Sequence, residues 1–232
     1  MRLETTLRGV ALCLLFGLAS GCGLFSGGPG QPSKAIGMAF NFPPLDGSTP
    51  KKPAYFVRAA SSVTWEDQMI VIPKGEKRID YEGELVIVIG KTARRVSEEE
   101  AKDCILGYTC GMDGTPYVED PATKEKDLLR SIAGKSYDGI APIGPRIIPA
   151  LDPEGHDIIL RVRGQEVERA NTKNLRWSPE KLVSEISQRI TLVPGDVVFA
   201  GARTPVPQLQ PGDVVEVEIQ GIGTLRREVV AE

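Results

Sequence analysis

The sequence predicts an α+β, β-rich fold, on three observations. Apolar runs and clean alternation mark strands over most of its length, helix signals are confined to a few capped segments, and proline–glycine turns recur between strands. In chain order, residues 85–89 form a short continuous apolar run, suited to a strand covered on both faces. Ser97-Glu-Glu-Glu100 is a capping box that opens a helix with Ala101, Cys104 and Ile105 on one side. A weaker helical pattern covers residues 124–132, and residues 157–163 read as a strand with Ile158, Ile159, Leu160 and Val162. Ser178-Pro179 supplies the N-cap and first turn of a further helix, with Leu182, Val183, Ile186 and Ile190 at helical spacing. That helix must stop before Pro194-Gly195. Residues 213–220 alternate Val215, Val217 and Ile219 against Glu216 and Glu218, and residues 224–230 follow Gly221-Ile-Gly223 as a hairpin partner would. Pro194-Gly-Asp196 recurs as Pro211-Gly-Asp213, and each copy reads as a turn in which Asp accepts local hydrogen bonds.

The chain has 232 residues, 41% hydrophobic and 25% charged, with a formal net charge of −3. This is the composition of a globular domain, and it carries no basic cluster of the kind a nucleic-acid surface needs. No linker interrupts residues 35–232, which are expected to form one domain. The N-terminus reads differently. Arg2 and Arg8 precede a short apolar run over residues 9–18, then Ala19, Ser20, Gly21 and Cys22, the layout of a signal peptide over residues 1–21. Leu18-Ala-Ser-Gly-Cys22 resembles a bacterial lipobox, which implies lipidation of Cys22, a Gly-, Pro- and Ser-rich tether over residues 22–34, and anchoring in a bacterial cell envelope. The other reading is a mis-assigned start and a cytoplasmic protein. Cys104 and Cys110 sit in apolar sequence and are expected as core thiols rather than a disulfide.

Asp80-Tyr-Glu-Gly-Glu84 enters the apolar run at Leu85. Residues two apart on a strand share a face, so Glu82 and Glu84 point the same way. Carboxylates held that close repel unless one keeps a proton or a cation lies between them. Oxygen donors alone favour Mg²⁺, Mn²⁺ or Ca²⁺. Spacing by itself also fits acids on a solvated strand face, as in Glu216 and Glu218.

The flanking text resembles the fumarylacetoacetate hydrolase family. The similar blocks are Tyr81-Glu-Gly-Glu-Leu85, Gly107-Tyr-Thr-Cys-Gly-Met-Asp113, Gly134-Lys-Ser-Tyr-Asp138 with Ala141-Pro-Ile-Gly-Pro145, Pro194-Gly-Asp-Val-Val-Phe-Ala-Gly201, and the closing Gly212-Asp213 and Gly221-Ile-Gly223. The resemblance implies the family's fold, a mixed β-sandwich or roll with few peripheral helices, and a homodimer. It implies that Glu82, Glu84 and Asp113 hold a divalent ion, Mg²⁺ or else Mn²⁺ or Ca²⁺. Lys135 would contact substrate oxygens and stabilise a developing oxyanion; outside that block it would read as a solvated turn lysine. The expected activity is hydrolysis or lysis at the C–C bond of a small 2-oxo or 1,3-dicarbonyl acid, such as an acylpyruvate or oxaloacetate.

The pattern departs from the family at several places. Where the family carries a lid histidine, this chain reads Gly37-Met-Ala-Phe-Asn-Phe-Pro-Pro-Leu-Asp46, and its single histidine, His156, lies in a turn-like stretch. Gly114-Thr-Pro-Tyr117 loses a positive group, and Ala200-Gly-Ala-Arg203 loses two hydroxyls, with Arg203 as a substitute anion contact. These losses also fit a non-catalytic envelope lipoprotein that reuses the fold for binding.

Overall fold

The computed structural model describes residues 30–43, 51–65, 68–76, 79–116, 127–203 and 209–232. Among them, the strands in chain order are β1 (Ala35–Ala39), β2 (Ala54–Arg58), β3 (Val63–Thr64), β4 (Ile70–Ile72), β5 (Ile79–Ile89) and β6 (Ile105–Pro116). They continue as β7 (Ala141–Ile148), β8 (Asp157–Val162), β9 (Gln165–Asn171), β10 (Val197–Phe199), β11 (Val214–Ile219) and β12 (Gly223–Ala231). A seven-stranded mixed sheet runs β2-β1-β10-β5-β6-β7-β3, and a five-stranded sheet runs β4-β12-β11-β8-β9. The β-rich class and the mixed sheets expected from the sequence hold.

The main core lies between the two sheets. Leu85, Ile87, Ile89 and Met112 of the first meet Val215, Val217, Ile219 and Leu225 of the second, all buried. The other face of the seven-stranded sheet carries a smaller apolar cluster with Val86, Val88, Val197, Phe199 and Ile143. Alternation along β5 assigns the odd residues 81–89 to the main core and the even ones to this second face. Glu82 and Glu84 therefore continue the line of Val86 and Val88.

Helices are few and capped as expected. In α1 (Glu98–Cys104), Ser97 Oγ accepts from Glu100 N while Glu100 Oε2 accepts from Ser97 N. Ile105, expected on that helix, instead begins β6. The helix α2 (Leu128–Gly134) sits later than the expected 124–132, whose first residues lie outside those described. The helix α3 (Pro179–Ser187) starts with Ser178 Oγ accepting from Lys181 N and buries Leu182, Val183 and Ile186. Its end precedes Pro194 as the turn chemistry requires.

The two Pro-Gly-Asp turns share one construction. Asp196 Oδ2 accepts from Val193 N at 2.8 Å, and Asp213 Oδ2 accepts from Gln210 N at 2.9 Å. Gly195 and Gly212 each take the left-handed φ that the turn needs, 91° and 94°. Cys104 and Cys110 are free, buried thiols. No helix among the described residues is long and apolar enough to cross a membrane.

Candidate active site

Strands β5 and β6 are antiparallel neighbours, and their register sets Glu82 directly opposite Asp113 and Glu84 opposite Gly111. Each of Glu82, Glu84 and Asp113 offers a carboxylate oxygen within 4.8 Å of the others. Asp113 and Glu84 are buried and Glu82 is half-buried. Glycines make this packing possible. At Gly83 a Cβ would lie 3.2 Å from Val217, so the second sheet approaches closely behind the two glutamates. At Gly111 a Cβ would come within 2.3 Å of Val86 and 2.8 Å of Phe199.

Two cations and one backbone amide bind the cluster. Lys135, in the turn after α2, donates to Asp113 Oδ2 at 2.7 Å and lies 3.7 Å from Glu82 Oε2. Arg58, at the end of β2, donates from Nη2 to Asp113 Oδ1 at 2.6 Å. Gly201 N donates to Glu84 Oε2 at 2.6 Å. Asn41 braces that loop, donating to Ala200 O at 2.7 Å and accepting from Trp177 N at 2.9 Å.

These contacts drive the acids apart electrostatically. Burial raises the Glu84 pKa well above its ordinary value, and the charges of Asp113 and Glu82 raise it further; the Gly201 amide and Lys135 offset only part. Burial acts on Asp113 too, but the charges and hydrogen bonds of Arg58 and Lys135 outweigh it and hold that carboxyl below its ordinary value. Asp113 is thus a committed anion, while Glu84 calls for a proton or a cation. The donor set, three oxygens and no nitrogen or sulfur, fits a hard divalent ion. Three carboxylates against two cations leave one negative charge when all are ionised, so such an ion would turn the site positive.

Arg58 was not apparent from the sequence. The available signal was weak: a basic residue closing the apolar alternation of β2, with its partner 55 residues further on. Its Nε and Nη1 are buried without a hydrogen-bond partner. Arg203 is exposed two residues beyond Gly201 and forms no ion pair with the three carboxylates among the described residues. His156 lies elsewhere, at the start of β8, with Nε2 2.7 Å from Asp152 O.

A two-sheet scaffold with a carboxylate cluster braced by lysine and arginine defines a β-rich class with a candidate hard-metal site. The profile of the fumarylacetoacetate (FAA) hydrolase C-terminal family matches residues 29–230, and the chain belongs to that family. It is 40% identical over 87% of its length to an uncharacterised protein of Archaeoglobus fulgidus and 38% identical over 87% to one of Methanocaldococcus jannaschii, covering 80% and 85% of those chains. It is 33% identical to 2,4-didehydro-3-deoxy-L-rhamnonate hydrolase of a Sphingomonas strain, over 84% of this chain and 72% of that one. Among solved structures it is similar to 5-carboxymethyl-2-hydroxymuconate delta-isomerase of Mycobacterium smegmatis, with TM-score 0.78, 30% identity, and 87% and 80% of the chains covered. It is also similar to maleylpyruvate hydrolase of Sphingobium sp. SYK-6, solved with manganese(II) and pyruvate, with TM-score 0.73, 28% identity, and 87% and 71% covered.

These relatives correct one expectation. Location in a bacterial cell envelope was read from residues 1–22, yet the two relatives above and two more from Pyrococcus, at 35% and 33% identity, are archaeal. A basic residue, a short apolar run and small residues make a pattern of low information, and similarity across the folded domain outweighs it. Cys22 and the apolar run lie outside the described residues.

Proposed function

We propose that this protein is a metal-dependent enzyme acting on a C–C bond of a small 2-oxo or 1,3-dicarbonyl acid. The observation that carries the reading is the triangle of Glu82, Glu84 and Asp113 with the Lys135 ammonium bonded to one of its corners. Glu82, Glu84 and Asp113 would hold Mg²⁺ or Mn²⁺. When bound, that ion would supply Lewis-acid polarisation of substrate oxygens and an anchor for the acid group. Lys135, beside Asp113 and Glu82, would stabilise negative charge developing on a substrate oxygen within a largely buried site. Arg58 keeps Asp113 ionised. One similar structure, a maleylpyruvate hydrolase in complex with manganese(II) and pyruvate, supports the reading. The homodimer implied by the resemblance belongs to the same proposal and is read by light scattering.

One observation favours decarboxylation over hydrolysis. The single histidine is engaged by Asp152 O at the start of β8, so no imidazole serves the site as a water-activating base. In decarboxylation of a 2-oxo acid such as oxaloacetate, the C–C bond to the departing carboxylate breaks and carbon dioxide leaves. The electron pair runs to the 2-oxo oxygen, and a proton from water later returns to carbon. No activated water is needed for the bond to break.

The test is turnover of oxaloacetate and acetylpyruvate by the full chain with Mn²⁺, beside Glu84→Gln. Loss of oxaloacetate with pyruvate formation, abolished in the variant, is expected. A protein that binds Mn²⁺ and turns over neither acid would instead be a non-catalytic binder of oxo acids.

A further inference from the structure

The Phe56 side chain has no polar atom, yet its ring meets both cations of the site. The ring centroid lies 4.9 Å from Lys135 Nζ and 5.7 Å from Arg58 Cζ. Both cations reach on to Asp113, one to each carboxylate oxygen. Phe56 and Arg58 share a face of β2, and the guanidinium Cζ also lies 5.3 Å from the Phe199 ring centroid. The electron-rich face of an aromatic ring attracts a cation, more strongly where water is scarce. The Lys135 side chain is only 12% exposed.

The ring has little freedom to move. Phe56 pairs with Gly37 across β1 and β2. A Cβ on Gly37 would lie 2.2 Å from the ring Cζ, and 2.6 and 2.8 Å from its two Cε atoms. The leading edge of the ring is therefore let into a notch that any side chain at residue 37 would fill. Gly37 has no left-handed φ, so the demand is for space alone.

We propose that Phe56 is a positioning residue: seated in the notch at Gly37, its ring tethers the Lys135 ammonium at the carboxylate cluster by cation–π attraction. A lysine on a flexible four-carbon stem has many rotamers. The bond to Asp113 fixes its head group from one direction, and the ring face supplies a second fixed point. The catalytic consequence rests on the role proposed for Lys135, whereas the tether itself is read without turnover.

The experiment uses the full chain labelled with ¹⁵N-lysine, the Lys135 ammonium resonance being assigned through Lys135→Met. A proton held over a ring face is shifted upfield, so the native protein should show such a shift. Phe56→Leu should abolish it, and so should Gly37→Ala, which keeps the ring but pushes it out of the notch. In a double-mutant cycle, Phe56→Leu should lower the folding equilibrium about fivefold more in the native background than in Lys135→Met. A native resonance without the upfield shift, or equal penalties in the two backgrounds, would overturn the tether. Should Phe56→Leu fail to fold, the native spectrum and Gly37→Ala decide. Oxaloacetate turnover tests the other half: reduced kcat in Phe56→Leu is expected, and unchanged kcat in a protein that has lost the shift would overturn Phe56 as a positioning residue for catalysis.

Discussion

Arg58 Nη2 lies 2.6 Å from Asp113 Oδ1, with both side chains buried and only one of the three guanidinium nitrogens hydrogen-bonded. Removing one partner of such a pair leaves an uncompensated charge away from water, which costs about 3–5 kcal/mol. Arg58→Met should therefore lower unfolding free energy by about that amount in urea titration. Arg58→Lys, which keeps the charge but not the planar fork, should fall between. A loss under about 1 kcal/mol would mean the pair is solvated in solution.

Lys135 donates to Asp113, a carboxylate that would also help hold a bound cation. Lys135→Met removes one positive charge beside Asp113 Oδ2, and Mn²⁺ affinity should tighten about tenfold, or ~1.4 kcal/mol. Calorimetric titration reads the affinity. Oxaloacetate turnover should drop in the same variant even though more metal is bound. Weaker Mn²⁺ binding would show that Lys135 shapes the site rather than competing for it.

Glu84 would give a bound metal a pH signature. Its folded pKa is raised above an ordinary value of 4.5 by burial and by its acidic neighbours. The folded chain then holds a proton that the unfolded chain releases, so this contribution to stability is complete below the ordinary value and is lost as pH rises through the raised one. A divalent ion held by these carboxylates would displace that proton. The rise in Tm caused by Mn²⁺ relative to EDTA should grow with pH from about 4.5 upward, in keeping with this linkage. In Glu84→Gln both trends should flatten, as scanning calorimetry at several pH values would reveal.

Burial pushes the Cys110 thiol up to about 12, and Cys104 is raised for the same reason. The thiolate is the nucleophile, so native protein at pH 8 should resist iodoacetamide at both positions. Mass spectrometry should show rapid labelling of both once urea unfolds the chain. Fast modification of Cys110 in native protein would contradict its burial behind Gly223, whose carbonyl accepts from the thiol at 3.3 Å.

Elements written in local chemistry were legible in the sequence. The caps of α1 and α3, the alternation of β11 and the paired Pro-Gly-Asp turns depend on residues within a few positions of one another. The full length of strand β6 was not, because Gly107, Gly111 and Gly114 argue against a long strand by propensity. Their reason lies across the fold, where a Cβ would strike Ile148, Val86 or Ile140. The site divides in the same way. The spacing of Glu82 and Glu84 left a solvated strand face open, and the family blocks singled out Asp113 and Lys135. Arg58 and Phe56 make sense only once β2 is folded beside β1, which no window of sequence reveals.

One strand, β5, builds both the interior and the chemistry, with odd residues turned to one side and even residues to the other. An insertion of a single residue ahead of Glu82 would therefore not nudge the carboxylates along the sheet. It would drive two acids into the main core between the sheets and turn leucine and isoleucine onto the carboxylate face, exchanging the two environments at that seam. Length changes should accumulate in the connections and spare this strand.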